Sequence, residues 1–142
     1  MAKRFKVLLI SALCSCTTQT NWTYETLNGE LDSSRLTFVS NESYPPILFE
    51  ILKIDEKIKA FISLQQFHFT SKKEVVVEIQ IGETSFEDRV PVHEGGMRIC
   101  LHPETTDRII QTLQDGSKVV IAVDGFEETL DGTYFTKSFL NF

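Results

Sequence analysis

The chain has 142 residues, 42% hydrophobic and 11% aromatic, with 14 Lys and Arg against 20 Asp and Glu for a formal net charge of −6. Eleven Phe, three Tyr and one Trp are ample for a packed core, which excludes a disordered tether. The acidic balance and the lack of a basic patch exclude the electrostatic footprint of a nucleic-acid binder.

The first residues are the most informative. Lys3, Arg4 and Lys6 precede residues 7–13, which are apolar except for Ser11. A positive stretch, an apolar stretch of about 7–15 residues and a small-residue end make a secretory signal. A membrane-spanning helix needs about 20 apolar residues, so this segment is expected to insert transiently and be cut.

The end of the segment, Leu13-Cys14-Ser15-Cys16, resembles the lipobox of bacterial lipoproteins, where an aliphatic residue and two small ones precede a cysteine. The resemblance implies that Cys16 is lipidated. Cys14 departs from the pattern, since Ala, Ser, Thr or Val is usual in that slot. Reading Ser11-Ala12-Leu13-Cys14 as the box instead makes Cys14 the lipidated residue, with a bulky Leu beside the cleaved bond. An ordinary cleaved signal with incidental cysteines is the plain alternative. Lipidation turns the thiol into a thioether carrying diacylglycerol, and two or three acyl chains anchor stably where one does so marginally. Thr17 in place of Asp after the cysteine implies the outer membrane, on its periplasmic or its outer side.

This divides the chain into a signal peptide over residues 1–15, a short lipidated linker over 16–21 and one domain over 22–142. Three of the 14 cations lie in the signal, which leaves 11 against 20 acidic residues in the mature chain, net −9. Such a surface repels anionic headgroups, so acyl chains rather than a polybasic patch would hold it at a membrane. Beyond the anchor, Cys100 is the only thiol left and no intramolecular disulfide can form. Within Met97-Arg98-Ile99-Cys100-Leu101 it reads as a buried small hydrophobe. The alternative is a bridge between chains or a reactive thiol.

Two-residue alternation and β-branched runs dominate the domain. Strands are expected over residues 22–27, ahead of a turn at Asn28-Gly29, and over 35–39, ahead of a loop forced by Pro45-Pro46. Residues 47–54 and 58–64 pair around Asp55-Glu56-Lys57, and residues 65–70 continue the second strand or bulge. Residues 75–81 turn at Gly82-Glu83-Thr84 into residues 85–92. Gly95-Gly96 breaks the chain before the Cys100 strand. Residues 103–115 form one short helix, with Ile109, Ile110 and Leu113 on one face, Pro103 at its first position and Gly116 as its stop. Residues 118–123 are a strand, and residues 126–142 read as a hairpin about Asp131-Gly132. The fold class is mainly β: a single-domain antiparallel β-sandwich, or a closed barrel, with one helix.

Catalytic patterns are scarce. His68, His93 and His102 do not sit at metal-ligand spacings, and His93-Glu94 would point to opposite faces of a strand. His68, between Phe67 and Phe69, reads as a strand-surface or satisfied core histidine, and His102 as a helix cap. No nucleophile elbow, phosphate-binding glycine loop or zinc-protease motif occurs. The carboxylates Glu83, Glu87, Asp88, Glu94, Asp124, Glu127, Glu128 and Asp131 read as solvated turn and edge residues. No catalytic residue, metal site or cofactor is expected. The terminal Phe142 is shared with many outer-membrane barrels, but neither face of residues 134–142 is a clean apolar band.

From Val75 onwards the order of features resembles the invasion-associated locus B family of exported bacterial proteins. The matching stretches are residues 75–92, Arg98-Ile99-Cys100, Ile109-Ile110-Gln111-Thr112-Leu113-Gln114-Asp115-Gly116 and residues 126–142. The family's usual second cysteine is missing. The resemblance implies an all-β sandwich and a role at the host–bacterium surface without known catalysis. The Phe-rich, compact pattern is also similar to that of small chlamydial lipoproteins. The expected function is that of a lipid-anchored envelope protein that binds a protein partner. Its alternatives are a periplasmic enzyme using His93 or His102 with nearby carboxylates, and a small outer-membrane barrel.

Overall fold

The computed structural model describes residues 21–27 and 33–142, which form two antiparallel sheets packed face to face. In chain order the first sheet begins with β1 (Trp22–Leu27), β2 (Ser33–Phe38), β3 (Ile47–Ile54) and β4 (Lys57–Leu64). The second gathers β5 (Glu74–Ile81) and β6 (Thr84–Pro91). The chain then returns to the first sheet as β7 (Arg98–Cys100), runs through helix α1 (Pro103–Gln114), and completes the second sheet with β8 (Lys118–Val123) and β9 (Phe126–Asp131). Helix α2 (Phe135–Leu140) follows. The orders are β1-β2-β3-β4-β7 and β6-β5-β8-β9. Neither sheet closes on itself, so the fold is an open sandwich and the closed-barrel alternative falls.

Alternation decides which side chains meet between the sheets. Leu36, Phe49, Ile51 and Ile62 of the first sheet are buried opposite Val77, Ile79, Ile121 and Leu130 of the second. The outward face of the first sheet carries charge. There Glu50, 7% exposed, lies 3.5 Å from Arg35 and 3.6 Å from Arg98. Arg35 also holds Glu25 at 2.6 Å, and the Arg98 guanidinium covers the Phe61 ring at 4.0 Å. Two cations thus offset a carboxylate that could not be buried alone.

The expected helix forms where Pro103 starts it, and it buries Thr105, Thr106, Ile109, Ile110 and Leu113. Gly116 ends it at φ 77°, a conformation glycine adopts without strain.

The closing hairpin does not form. β9 pairs with β8, through the Asp124-Gly125 turn, and the chain beyond Gly132 coils into α2. Phe135, Phe139 and Phe142 recur at helical spacing; the first two rings stack at 5.3 Å and the last two meet tilted at 5.5 Å. Phe135 reaches the Trp22 ring at 4.8 Å, so burying this stripe outweighs the strand preference of its aromatic residues. There are therefore two helices among the described residues, not one.

Residues 65–70 neither extend β4 nor bulge it; they are loop, with Gln66 at φ 67°. The expected Asn28-Gly29 turn lies outside the described residues, as do Cys14 and Cys16.

Candidate functional site

Functional interest concentrates at one end of the first sheet, where three loops and a turn are tied together. Val39 N–H donates to Asn21 O at 2.7 Å, and Gln65 N–H donates to Pro46 O at 2.9 Å. Leu64 N–H reaches Met97 O at 2.8 Å, and Phe69 N–H reaches Gly96 O at 2.7 Å. Asp124 accepts from both the backbone and the hydroxyl of Thr70, at 2.8 and 3.0 Å. Residues 39–46, 65–73, 92–97 and 124–125 therefore make one surface.

That surface holds a cavity of about 430 Å³ over Phe69 and Val92, walled by His68, Lys72, His93 and Glu94. Gly95 and Gly96, at φ 95° and 72°, complete it. A side chain on Gly96 would stand 3.4 Å from His68 Cδ2, so the imidazole lies against that glycine. The His93 and Phe61 rings meet in a T-shaped pair with centroids 6.2 Å apart. Beside the cavity, Tyr44 is 84% exposed and Phe67 is 46% exposed, the latter packed on Phe126 at 5.0 Å.

Two sequence expectations change here. His68 stands in an exposed loop, not on a strand or in the core. His93 and Glu94 lie past the end of β6, in a turn where Gly96 N–H donates to His93 O at 3.0 Å. Strand alternation no longer separates them, and both face the same cavity. Among the described residues no group of three His, Cys, Asp or Glu side chains could hold a metal ion.

His102 sits elsewhere, at the start of α1, and its ring does not cap the helix. Its Nδ1 lies 2.6 Å from Asp88 Oδ1, while its backbone N–H donates to Asp88 Oδ2 at 2.9 Å. Asp88 is 5% exposed and is not the solvated edge residue expected of it. It occupies an inward position of β6 between Phe86 and Val90, and that parity was the signal available in the sequence. Among the described residues no hydroxyl or thiol bonds to the other ring nitrogen of His102.

The Asp88 hydrogen bond, and then its charge, raise the His102 pKa above its ordinary 6.5. A group raised by folding contributes fully below its unfolded value and loses that contribution as pH climbs through the folded one. Wild type is expected to lose its stability advantage over His102→Gln as pH rises above about 6.5, read as the difference in Tm across a pH series. An unchanging difference would remove the charged pair from the stability of α1.

Cys100 is free and half-buried, paired across the strands with Phe61 on the outward face. Burial pushes its thiol pKa up, and Lys59 and Arg98 only partly oppose this. A raised thiol is a poor nucleophile at neutral pH.

Among the described residues no helix is long and apolar enough to cross a membrane. No protein family, curated protein or solved structure matches the chain.

Proposed function

We propose that the protein is a lipid-anchored component of the bacterial envelope, held through Cys16 after loss of residues 1–15, and that it works by binding. The observation that carries the binding half is an open cavity walled by two loops, next to a second depression lined by exposed Tyr44 and Phe67 where the third loop meets them. Binding surfaces are built from loops held by a rigid scaffold, and exposed aromatic side chains are their usual anchors. The anchoring half rests on the signal-like opening and Leu13-Cys14-Ser15-Cys16.

Intact mass tests the anchor. The chain expressed in bacteria with its own leader is expected to yield a species beginning at Cys16 and heavier by diacylglycerol plus an acyl chain. Cys16→Ala should abolish that species. An unmodified wild-type chain would end the anchoring half of the proposal.

A periplasmic enzyme is the second reading, and the His102–Asp88 pair is what favours it, since a carboxylate-held imidazole is a ready general base. Hydrolysis of ester or amide probes by the purified chain, lost in His102→Ala, would support it. Equal turnover in both proteins would count against it.

A further inference from the structure

The position of the chain's entrance into the domain bears on what covers the loop end. Asn21 is bonded to Val39, so the first described residue lies at the same end as the cavity and the exposed aromatic side chains. Asn21 also shares the lining of a third depression with Ser40, Asn41 and Glu42, which lead directly to Tyr44, and with Lys118, Glu128 and Asp131 of the facing sheet. The five residues from Thr17 to Asn21 are all that would join a lipidated Cys16 to this end. Fully extended, they reach at most about 18 Å.

We propose that this end of the sandwich lies on the bilayer surface, with Tyr44, Phe67 and Met97 in the headgroup layer. The inference rests on the lipid-anchor reading and names the lipid surface as the partner of the loop end.

Length excludes the opposite orientation. Strand register sets Asn21 level with Leu48, and the β3–β4 turn lies about 23 Å further along β3. With that turn on the membrane, the tether would be too short to reach Asn21.

Composition fits the surface. The loop end carries Glu42, Glu94 and Asp124 against Lys72 and Lys73, and the depression at Asn21 adds Glu128 and Asp131 against Lys118, two net negative charges in all, while the mature chain carries −9. The acidity that would be repelled by headgroups is thus concentrated elsewhere. Val39, Tyr44 at 84% exposure, Phe67, and Met97 at 37% are the large apolar side chains this end leaves in contact with solvent. Aromatic residues with a polar tip settle at the membrane–water boundary because one end is apolar and the other wet.

The test uses the full chain expressed with its own leader, in three versions: Tyr44→Trp, Phe67→Trp and Ile54→Trp. The last sits at the far end of β3 and is 37% exposed. Each protein is weighed intact, then placed in vesicles of phosphatidylethanolamine and phosphatidylglycerol brominated on the acyl chains. Interfacial residues reach about 5–10 Å into the headgroup and acyl boundary, so Tyr44→Trp and Phe67→Trp should be quenched at least about twofold more than Ile54→Trp. Acylated protein with equal quenching at all three positions, or with Ile54→Trp quenched most, overturns the orientation and leaves the anchor standing. In the first case the loop end would be left to a protein partner. A chain lacking the acyl mass overturns the anchor and the orientation with it.

Discussion

Replacing Gly132 with alanine is expected to lower stability by about 3 kcal/mol or more, near the upper end of what overpacking costs. A Cβ there would stand 2.4 Å from Ser117 O, 2.7 Å from Leu113 O and 2.8 Å from Gly116 C. All three are backbone atoms at the end of α1, so no side chain can rotate aside to make room. Gly132 N–H also donates to Ser117 O at 3.1 Å, which fixes the chain against the helix end. Its backbone φ is ordinary, so the cost is steric and not conformational. Gly82 is the control: its φ is 59° with open space around it, and Gly82→Ala should cost only about 1–2 kcal/mol. Urea unfolding of both variants measures this, and equal midpoints would show that α1 does not press on Gly132.

Phe135→Ala should cost about 3–5 kcal/mol, the range for truncating a buried aromatic ring. Phe135 is fully buried, meets Trp22 edge-on at 4.8 Å and stacks on Phe139 at 5.3 Å. Trp22 in turn packs on Phe38 and Phe49 and donates its indole N–H to Asp131 O at 2.7 Å. Removing Phe135 therefore opens a cavity where β1, β3 and α2 meet. Domains of this size are stabilised by roughly 5–15 kcal/mol, so the variant would sit near the edge of folding. Leu140→Ala, at 80% exposure, should change stability by less than about 0.5 kcal/mol. A large loss at Leu140 and little at Phe135 would contradict a C-terminal helix docked by its Phe face.

The strands are legible because apolar and β-branched runs bounded by turn residues mark them: residues 47–54, 75–81 and 118–123 are such runs, and the later half of 75–81 also alternates with a period of two. The helix at Pro103 was legible from its start and stop residues. The C-terminal helix was not, since Tyr134, Phe135 and Thr136 favour strands locally and only the docking of Phe135 on Trp22 outweighs that. Gly132 read as a turn glycine, whereas close approach to Ser117 O is a tertiary fact that no local pattern encodes. The cavity was hidden for a similar reason. His68 and His93 are 25 residues apart, and the bond from Phe69 to Gly96 joins their loops. Tyr44 stands beside Pro45-Pro46, and an aromatic residue in a loop with no alternating partner is a signal of exposure.

The histidines divide by environment. His102 is held by a buried carboxylate and serves the helix it precedes, while His68 and His93 stand at the surface that the loops create. That contrast, with the exposed aromatic side chains near the cavity, is why the proposed binding end is the loop end rather than the His102 side of the domain.

Hydrogen exchange on the acylated protein, compared between its own envelope membranes and detergent, tests that location most directly. Slower exchange in membranes confined to residues 39–46, 65–73 and 92–97 is expected. Protection confined to the outward face of the first sheet or the Asp55-Glu56 turn, or no difference anywhere, would contradict a binding end built from these loops.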